Sequence, residues 1–289
     1  MSETVNYADF TWRSRDGLTL YARRYGRRGD RVPVVCIPGL TRNCRDFETV
    51  APWIAGQGRD VIAVDLRGRG KSDRSVPRRY NPRVYADDMA SLLEAAGLEQ
   101  AIFVGTSLGG LVTITLAVRH PALIAGAVLN DVGPRVAPAG LARIRAYAGK
   151  ATDVGNWDDA AAYARQINGV AFPDYGDKDW MTVARRLFTE KDGRPVLDYD
   201  PDIFSPPHPL LVRLAEPLVW SAFRRLARCG PLQLVRGELT DVIDARTVSR
   251  MQRLAPDMTD AVIPGVGHAP MLDEPESRSA LAGFFDRAP

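Results

Sequence analysis

The sequence predicts an α/β protein: a mostly parallel sheet with helices on both faces, interrupted once by a helical insertion. Short continuous apolar runs, among them Val32–Ile37, Asp60–Val64, Ala101–Val104 and Ile124–Leu129, alternate with stretches of helical period. The alternation lapses from Pro134 to about Arg228 and resumes with Leu232–Val235. A chain of 289 residues can bury a large core, and suits one big α/β domain carrying an inserted subdomain.

The elements follow in order. Asp9–Arg13 and Leu18–Tyr25 read as two strands joined by Asp16-Gly17, a hairpin signal. Val32–Ile37 is the third strand, and its exit loop is Pro38-Gly39-Leu40-Thr41-Arg42-Asn43. A helix from about Asp46 to Gln57 leads to the strand Asp60–Val64. In the next helix Asn81 is the cap, Pro82 sits in the first turn, and Tyr85, Met89, Leu92, Leu93 and Ala96 share one face. Ala101–Val104, a helix ending at His120-Pro121, and the strand Ile124–Leu129 come next. Residues 134–228 read as helical with Pro- and Asp-rich interruptions, and contain no parallel strand. Strand Leu232–Val235, a helix near Asp244–Leu254, strand Met258–Ile263 and a helix Glu276–Phe285 complete the pattern. The expected division is a core of residues 1–133 and 229–289, with residues 134–228 lying over the sheet.

Composition excludes several roles. Lys plus Arg number 38 against 35 Asp plus Glu, and pairs such as Arg27-Arg28 and Arg224-Arg225 are scattered solvated faces, so no nucleic-acid partner is expected. No apolar run approaches the roughly 18 residues of a membrane span, and Met1–Asn6 lacks a basic and apolar leader pattern. Cys36, Cys44 and Cys229 are odd in number and lack metal-ligand spacing, which fits reduced thiols in a cytoplasmic protein without a metal site.

The chemistry centres on Gly105-Thr106-Ser107-Leu108-Gly109, where an apolar strand stops, turns through a serine and restarts as an apolar helix. A serine needs a base, and the base needs an orienting carboxylate. His120 precedes a proline at a helix end and His208 sits in a Pro-rich stretch, so both read as structural or surface residues. His268 follows the last strand in a glycine-bearing loop, at the sheet edge where open α/β sheets bind ligands, and is the expected base. For the acid, Asp241 after the resumed strand is the first choice, with Asp131 after the preceding strand as its competitor. The oxyanion of an acyl-transfer intermediate would take the backbone N–H of Leu108 and that of Leu40, since Pro38 has no N–H to give.

With Gly105–Gly109, the order Ser107…Asp241…His268, Pro38-Gly39-Leu40, and the stretch Asp65-Leu66-Arg67-Gly68-Arg69-Gly70-Lys71-Ser72-Asp73, the chain resembles the α/β-hydrolase superfamily, specifically its members with a helical cap. The resemblance implies an eight-stranded sheet whose first two strands run antiparallel to their neighbours, a cap over the active site, and no cofactor. One departure is visible: Pro38-Gly39 stands where the family usually has His-Gly.

The function expected from these residues is hydrolysis of a small, partly apolar carboxylic ester or lactone through an acyl-enzyme. The same triad serves carbon–carbon bond hydrolysis and perhydrolysis, and a ligand receptor with slow or no turnover is the reading of another class. Trp157, Trp180, Phe204, Trp220 and Phe223 make the insertion aromatic, and Trp157, Trp180 and Trp220 are its candidates for contacting substrate.

Overall fold

The apolar runs come together as one eight-stranded sheet in the order β1-β2-β4-β3-β5-β6-β9-β10. The computed structural model describes residues 7–76, 79–150, 152–204 and 209–289, the first four of the last span by backbone alone. His208, most of its Pro-rich stretch and Met1–Asn6 lie outside the described residues. β1 (Ala8–Arg13) and β2 (Thr19–Tyr25) pair antiparallel, and β2 pairs antiparallel with β4 (Val61–Asp65). From β4 onward the ladder is parallel, through β3 (Val34–Ile37), β5 (Ala101–Thr106), β6 (Ile124–Asn130), β9 (Leu232–Gly237) and β10 (Thr259–Ile263).

Every residue of β3, β4 and β6 is buried, which is why these strands are apolar on both faces rather than alternating. One face packs on α1 (Val50–Gly56) and α9 (Pro275–Phe285) through Val50, Ile54, Leu281, Phe284 and Phe285. The other packs on α2 (Pro82–Ala96) and α3 (Leu108–Arg119) through residues such as Met89, Leu93, Val112 and Leu116. α8 (Ala245–Leu254) adds Val248 and Met251 to that same layer. α2 starts as expected, with the Asn81 side chain accepting from the Arg83 and Val84 N–H groups and Pro82 in the first turn. The helix expected from Asp46 is shorter: Cys44–Phe47 forms one tight 3₁₀ turn, and α1 begins only at Val50. Asn43 caps that turn through the Arg45 N–H, and the Asp65 carboxylate accepts from the Cys44 N–H at 2.7 Å, so the chain is committed to the loop before the helix can start.

Between β6 and β9 the chain builds α4 (Pro138–Tyr147), α5 (Trp157–Asn168) and α6 (Asp177–Leu187), then an antiparallel hairpin of β7 (Phe188–Lys191) and β8 (Arg194–Leu197), and then α7 (Pro209–Leu226). The hairpin revises the purely helical expectation. Its turn is Asp192-Gly193, both at positive φ (51° and 76°), the conformation a two-residue hairpin prefers. α5, α6 and the hairpin share a small core of their own, built on Ala160, Ala164, Phe172, Trp180, Val183, Leu187 and Phe188. α7 does not join it; Trp220, Phe223 and Leu226 pack into the main core beside α3.

The insertion is hydrogen-bonded to the loops of the sheet at several places, two of them on opposite sides. On one side Asp198 accepts from Arg45 Nη2 at 2.5 Å and from Asn43 Nδ2 at 3.0 Å, and Arg186 Nε donates to Glu48 Oε1 at 2.9 Å. On the other, the Ala137 and Gly140 N–H groups donate to the carbonyls of Val242 and Asp241. Among the described residues no helix is long and apolar enough to cross a membrane.

Candidate active site

Ser107 sits at φ 52°, ψ −111°, between the last residue of β5 and the first of α3. An L-residue is strained there, and the surroundings hold it. A Cβ on Gly105 would lie 2.5 Å from the Gly109 carbonyl, and one on Gly109 would lie 2.1 Å from the Ile37 carbonyl oxygen. Glycine at both flanks is therefore a spatial requirement of strand and helix meeting at so sharp an angle. The Ser107 N–H donates to the Asn130 carbonyl at 2.9 Å, tying the turn to the neighbouring strand end.

Ser107 Oγ lies 2.9 Å from His268 Nε2, and His268 Nδ1 lies 2.7 Å from Asp131 Oδ2. The Asp131 side chain is fully buried. Beyond the imidazole it accepts two hydrogen bonds, from the Gly237 N–H at 3.1 Å on Oδ1 and from the Thr240 hydroxyl at 2.7 Å on Oδ2. Asn130 Nδ2 donates to the Pro270 carbonyl at 2.8 Å, so the residue before Asp131 also pins the loop that carries His268.

The expected partner of His268, Asp241, is not the one the structure puts there. Asp241 faces Arg143 of α4, Nε to Oδ2 at 2.7 Å and Nη2 to Oδ1 at 2.8 Å. The Arg143 hydrogen bonds hold its carboxyl below the ordinary aspartate range, with a lesser contribution from His268. The reason lies in sheet order. β6 is the immediate neighbour of β5, so Asp131 leaves the sheet next to the serine turn, whereas Asp241 lies four residues past the end of β9 and points to the insertion. His120 fits its structural reading, with Nε2 3.0 Å from Asp87 Oδ1.

Leu40 lies in the wall of the cavity above Ser107, and Leu108 is the first residue of α3, where helix N–H groups have no partner within the helix. Neither N–H donates to a protein acceptor among the described residues. The Leu40 carbonyl accepts from Arg69 Nε at 2.9 Å, and Arg69, itself buried, is held by the Arg67 carbonyl and the Tyr85 hydroxyl. The stretch after β4 thus buttresses the loop after β3.

The cavity encloses about 740 Å³ of empty space, counting its opening to solvent. Ile144, Ile167, Phe172, Leu187, Met271 and Leu272 give it apolar walls; Arg42, Asp46, Tyr147 and Asn168 add polar groups. None of the three expected tryptophans lines it. Trp180 is buried in the insertion's own core, its Nε1 on the Tyr175 carbonyl. Trp220 is buried in the main core. Trp157 is half-buried at the edge of the insertion's core, beneath the Arg185 guanidinium at 3.6 Å, with Nε1 3.3 Å from Glu190. The pocket residues from α4 and α5 went unforeseen, since each is one residue on a mixed face with no motif around it. Among the described residues no group of three or more His, Cys, Asp or Glu is arranged to hold a metal ion.

Residues 32–275 match the family described as alpha/beta hydrolase fold. The chain is 31% identical over 263 residues to the 3-hydroxybutyrate-oligomer hydrolase of Cupriavidus necator, covering 88% of each protein. It is 28% identical over 251 residues to the 2-(acetamidomethylene)succinate hydrolase of Mesorhizobium japonicum, covering 86% of each. The crystal structure of an α/β hydrolase from Novosphingobium aromaticivorans superposes with a TM-score of 0.89 at 41% identity, over 97% of this chain and 98% of that one.

Proposed function

Given that the chain belongs to the α/β-hydrolase family and is a hydrolase, we propose that it cleaves short carboxylic esters of hydroxy acids through a covalent acyl-serine. The observation that carries this reading is the continuous hydrogen-bonded line Ser107 Oγ–His268–Asp131 opening into a half-apolar cavity. Ser107 Oγ attacks the ester carbonyl while His268 Nε2 takes its proton. Asp131, already holding Nδ1, keeps the imidazole oriented and stabilises it once charged. The oxyanion is met by the N–H groups of Leu40 and Leu108. The alcohol leaves with the proton from His268; a water then gives its proton to His268 and attacks the acyl-serine, and as the acid is released Ser107 Oγ takes that proton back from His268.

The hydroxy-acid substrate class draws on the relative from Cupriavidus necator, named for 3-hydroxybutyrate oligomers, which is similar to this chain along most of its length. Apolar walls for the methyl-bearing carbons and a few polar groups for the ends suit such a substrate. The test is release of 3-hydroxybutyrate from its linear dimer and trimer by the purified protein, with p-nitrophenyl acetate as a general ester and Ser107→Ala as control. Turnover of both that is lost in Ser107→Ala is the expected result. Turnover that survives the substitution overturns the mechanism, and p-nitrophenyl acetate cleavage without oligomer cleavage overturns the substrate class.

A further inference from the structure

The loop after β3 carries a second group that the ester chemistry leaves unused. Arg42 lines the cavity two residues beyond Leu40. A point above Gly39, where a Cβ would stand, lies 3.4 Å from Arg42 Cγ and 3.8 Å from Ser107 Cβ, so the arginine stem and the nucleophile both border Gly39. Its guanidinium is held by Asp46, Nε to Oδ2 at 2.7 Å and Nη2 to Oδ1 at 2.6 Å. Both side chains are mostly buried, 14% and 13% exposed, so the group is fixed in place rather than sampling solvent.

A guanidinium has five N–H donors on a planar fork. Asp46 uses two of them, along one edge. The edge formed by Nη1 and the remaining Nη2 hydrogen keeps the spacing that a second carboxylate fits in bidentate fashion. No acceptor for Nη1 is present among the described residues. Burial works against the charge of Arg42, and Asp46 more than offsets it, so the guanidinium stays a committed cation within the cavity wall. Tyr147, from α4 across the cavity, is within electrostatic reach of Arg42 and, its phenol pushed up by burial, stays a neutral hydroxyl that can donate. A fixed guanidinium with one open edge, lining the same half-apolar cavity as the nucleophile, is a receptor for an anionic end of the substrate.

We propose that Arg42 anchors a free carboxylate on the substrate, making the enzyme selective for esters that carry an acid group a few bonds from the scissile carbonyl. This deepens the ester reading above and rests on it for the bond cleaved, though not for the anion site itself. In a linear hydroxy-acid oligoester the terminal carboxylate stands four bonds from the nearest ester carbonyl carbon. Cleavage would then proceed one unit at a time from the carboxylate end.

Two measurements separate the anchor from the substrate class. The first is competitive inhibition of p-nitrophenyl acetate hydrolysis by 3-hydroxybutyrate and by its neutral amide, in wild type, Arg42→Lys, Asp46→Asn and the charge-balanced pair Arg42→Met/Asp46→Asn. Wild type should prefer the anion by about tenfold or more, the scale of a charge-assisted hydrogen bond. The preference should shrink in Arg42→Lys, disappear in the double variant, and persist in Asp46→Asn. The second is the ratio of kcat/KM for the dimer acid over its methyl ester, expected to fall in parallel. An absent preference in wild type, or one that survives in a folded double variant, overturns the anchor. Dimer cleavage without preference for the acid overturns the anchor alone. An Arg42-dependent anion preference with no dimer cleavage supports the anchor and removes only the oligoester substrate.

Discussion

Arg143 grips both oxygens of Asp241, at 2.7 and 2.8 Å, and so turns toward the insertion a carboxylate that stands on the loop next to the His268 loop. With Asp241 engaged by α4, the imidazole gives its Nδ1–H to Asp131, which is wholly buried and held by Gly237 and Thr240. Two carboxylates stand near one histidine, and their partners separate their duties.

Substitution of each acid by its amide should show that separation directly. Asp131→Asn presents an amide where Nδ1–H needs an acceptor, and kcat for p-nitrophenyl acetate should drop by roughly 10³–10⁴. Asp241→Asn should cost about tenfold or less, through its distant field on the imidazolium. Equal losses in the two variants would mean that the 2.7 Å contact at Asp131 does not carry the function.

The Arg143–Asp241 pair also predicts how the cap's attachment responds to acid. Arg143 lowers the folded-state value of Asp241 below its ordinary 3.8. A lowered carboxylate contributes stability that is fully present above the unfolded value and lost as pH falls through the folded one. A double-mutant cycle between Arg143→Ala and Asp241→Ala should therefore give a constant coupling, about 0.5–1 kcal/mol for a partly exposed pair, from pH 5 to 8. The coupling should fade only below about pH 4. Urea midpoints at each pH read it.

Ala in place of Gly109 should be among the most damaging single methyl additions. Its Cβ would stand 2.1 Å from a backbone oxygen of β3, which cannot yield as a side chain can. A loss of about 3 kcal/mol or more, or failure to fold, is expected. Gly56→Ala, where nothing lies within 4 Å, is the matched control and should change Tm by no more than a degree or two either way.

The tryptophans should divide by burial rather than by catalysis. Trp180→Ala opens a hole in the insertion's own core and should cost roughly 3–5 kcal/mol, seen as an early thermal transition. Trp157→Ala loses a half-buried ring at the edge of that core and its stacking with Arg185, should cost less than Trp180→Ala, about 1–2 kcal/mol, and should leave KM within twofold.

Much of this architecture was legible in advance because the central strands are buried on both faces and must therefore be written as apolar runs. The serine turn and His268 were legible for a related reason: their loops need glycine at defined places. The acid was harder. Asp131 and Asp241 both follow strands, and choosing between them requires knowing that β6 rather than β9 borders β5, which no local pattern encodes. The tryptophans misled because the inserted helices have more than one inward direction: Trp180 and Trp157 turn to the insertion's own core and Trp220 to the main core, and an amphipathic face does not say which it uses. The hairpin was overlooked although its turn carries a plain signal, Asp192-Gly193, because the four-residue strands on either side have no alternating pattern.

The short loop after β3 holds both Leu40 and Arg42, so the groups proposed to receive the oxyanion and the acid end of the substrate travel as one heritable unit. Grafting a foreign segment in place of α4 through β8, which leaves Asp131 at its strand end, would replace the roof of the cavity and leave that unit with the sheet. Such chimeras should change which carbon skeleton is accepted while continuing to demand an acid. New skeletons could then be acquired by exchanging roofs, whereas the taste for an anion would be lost by changing Arg42 in the loop that stays behind.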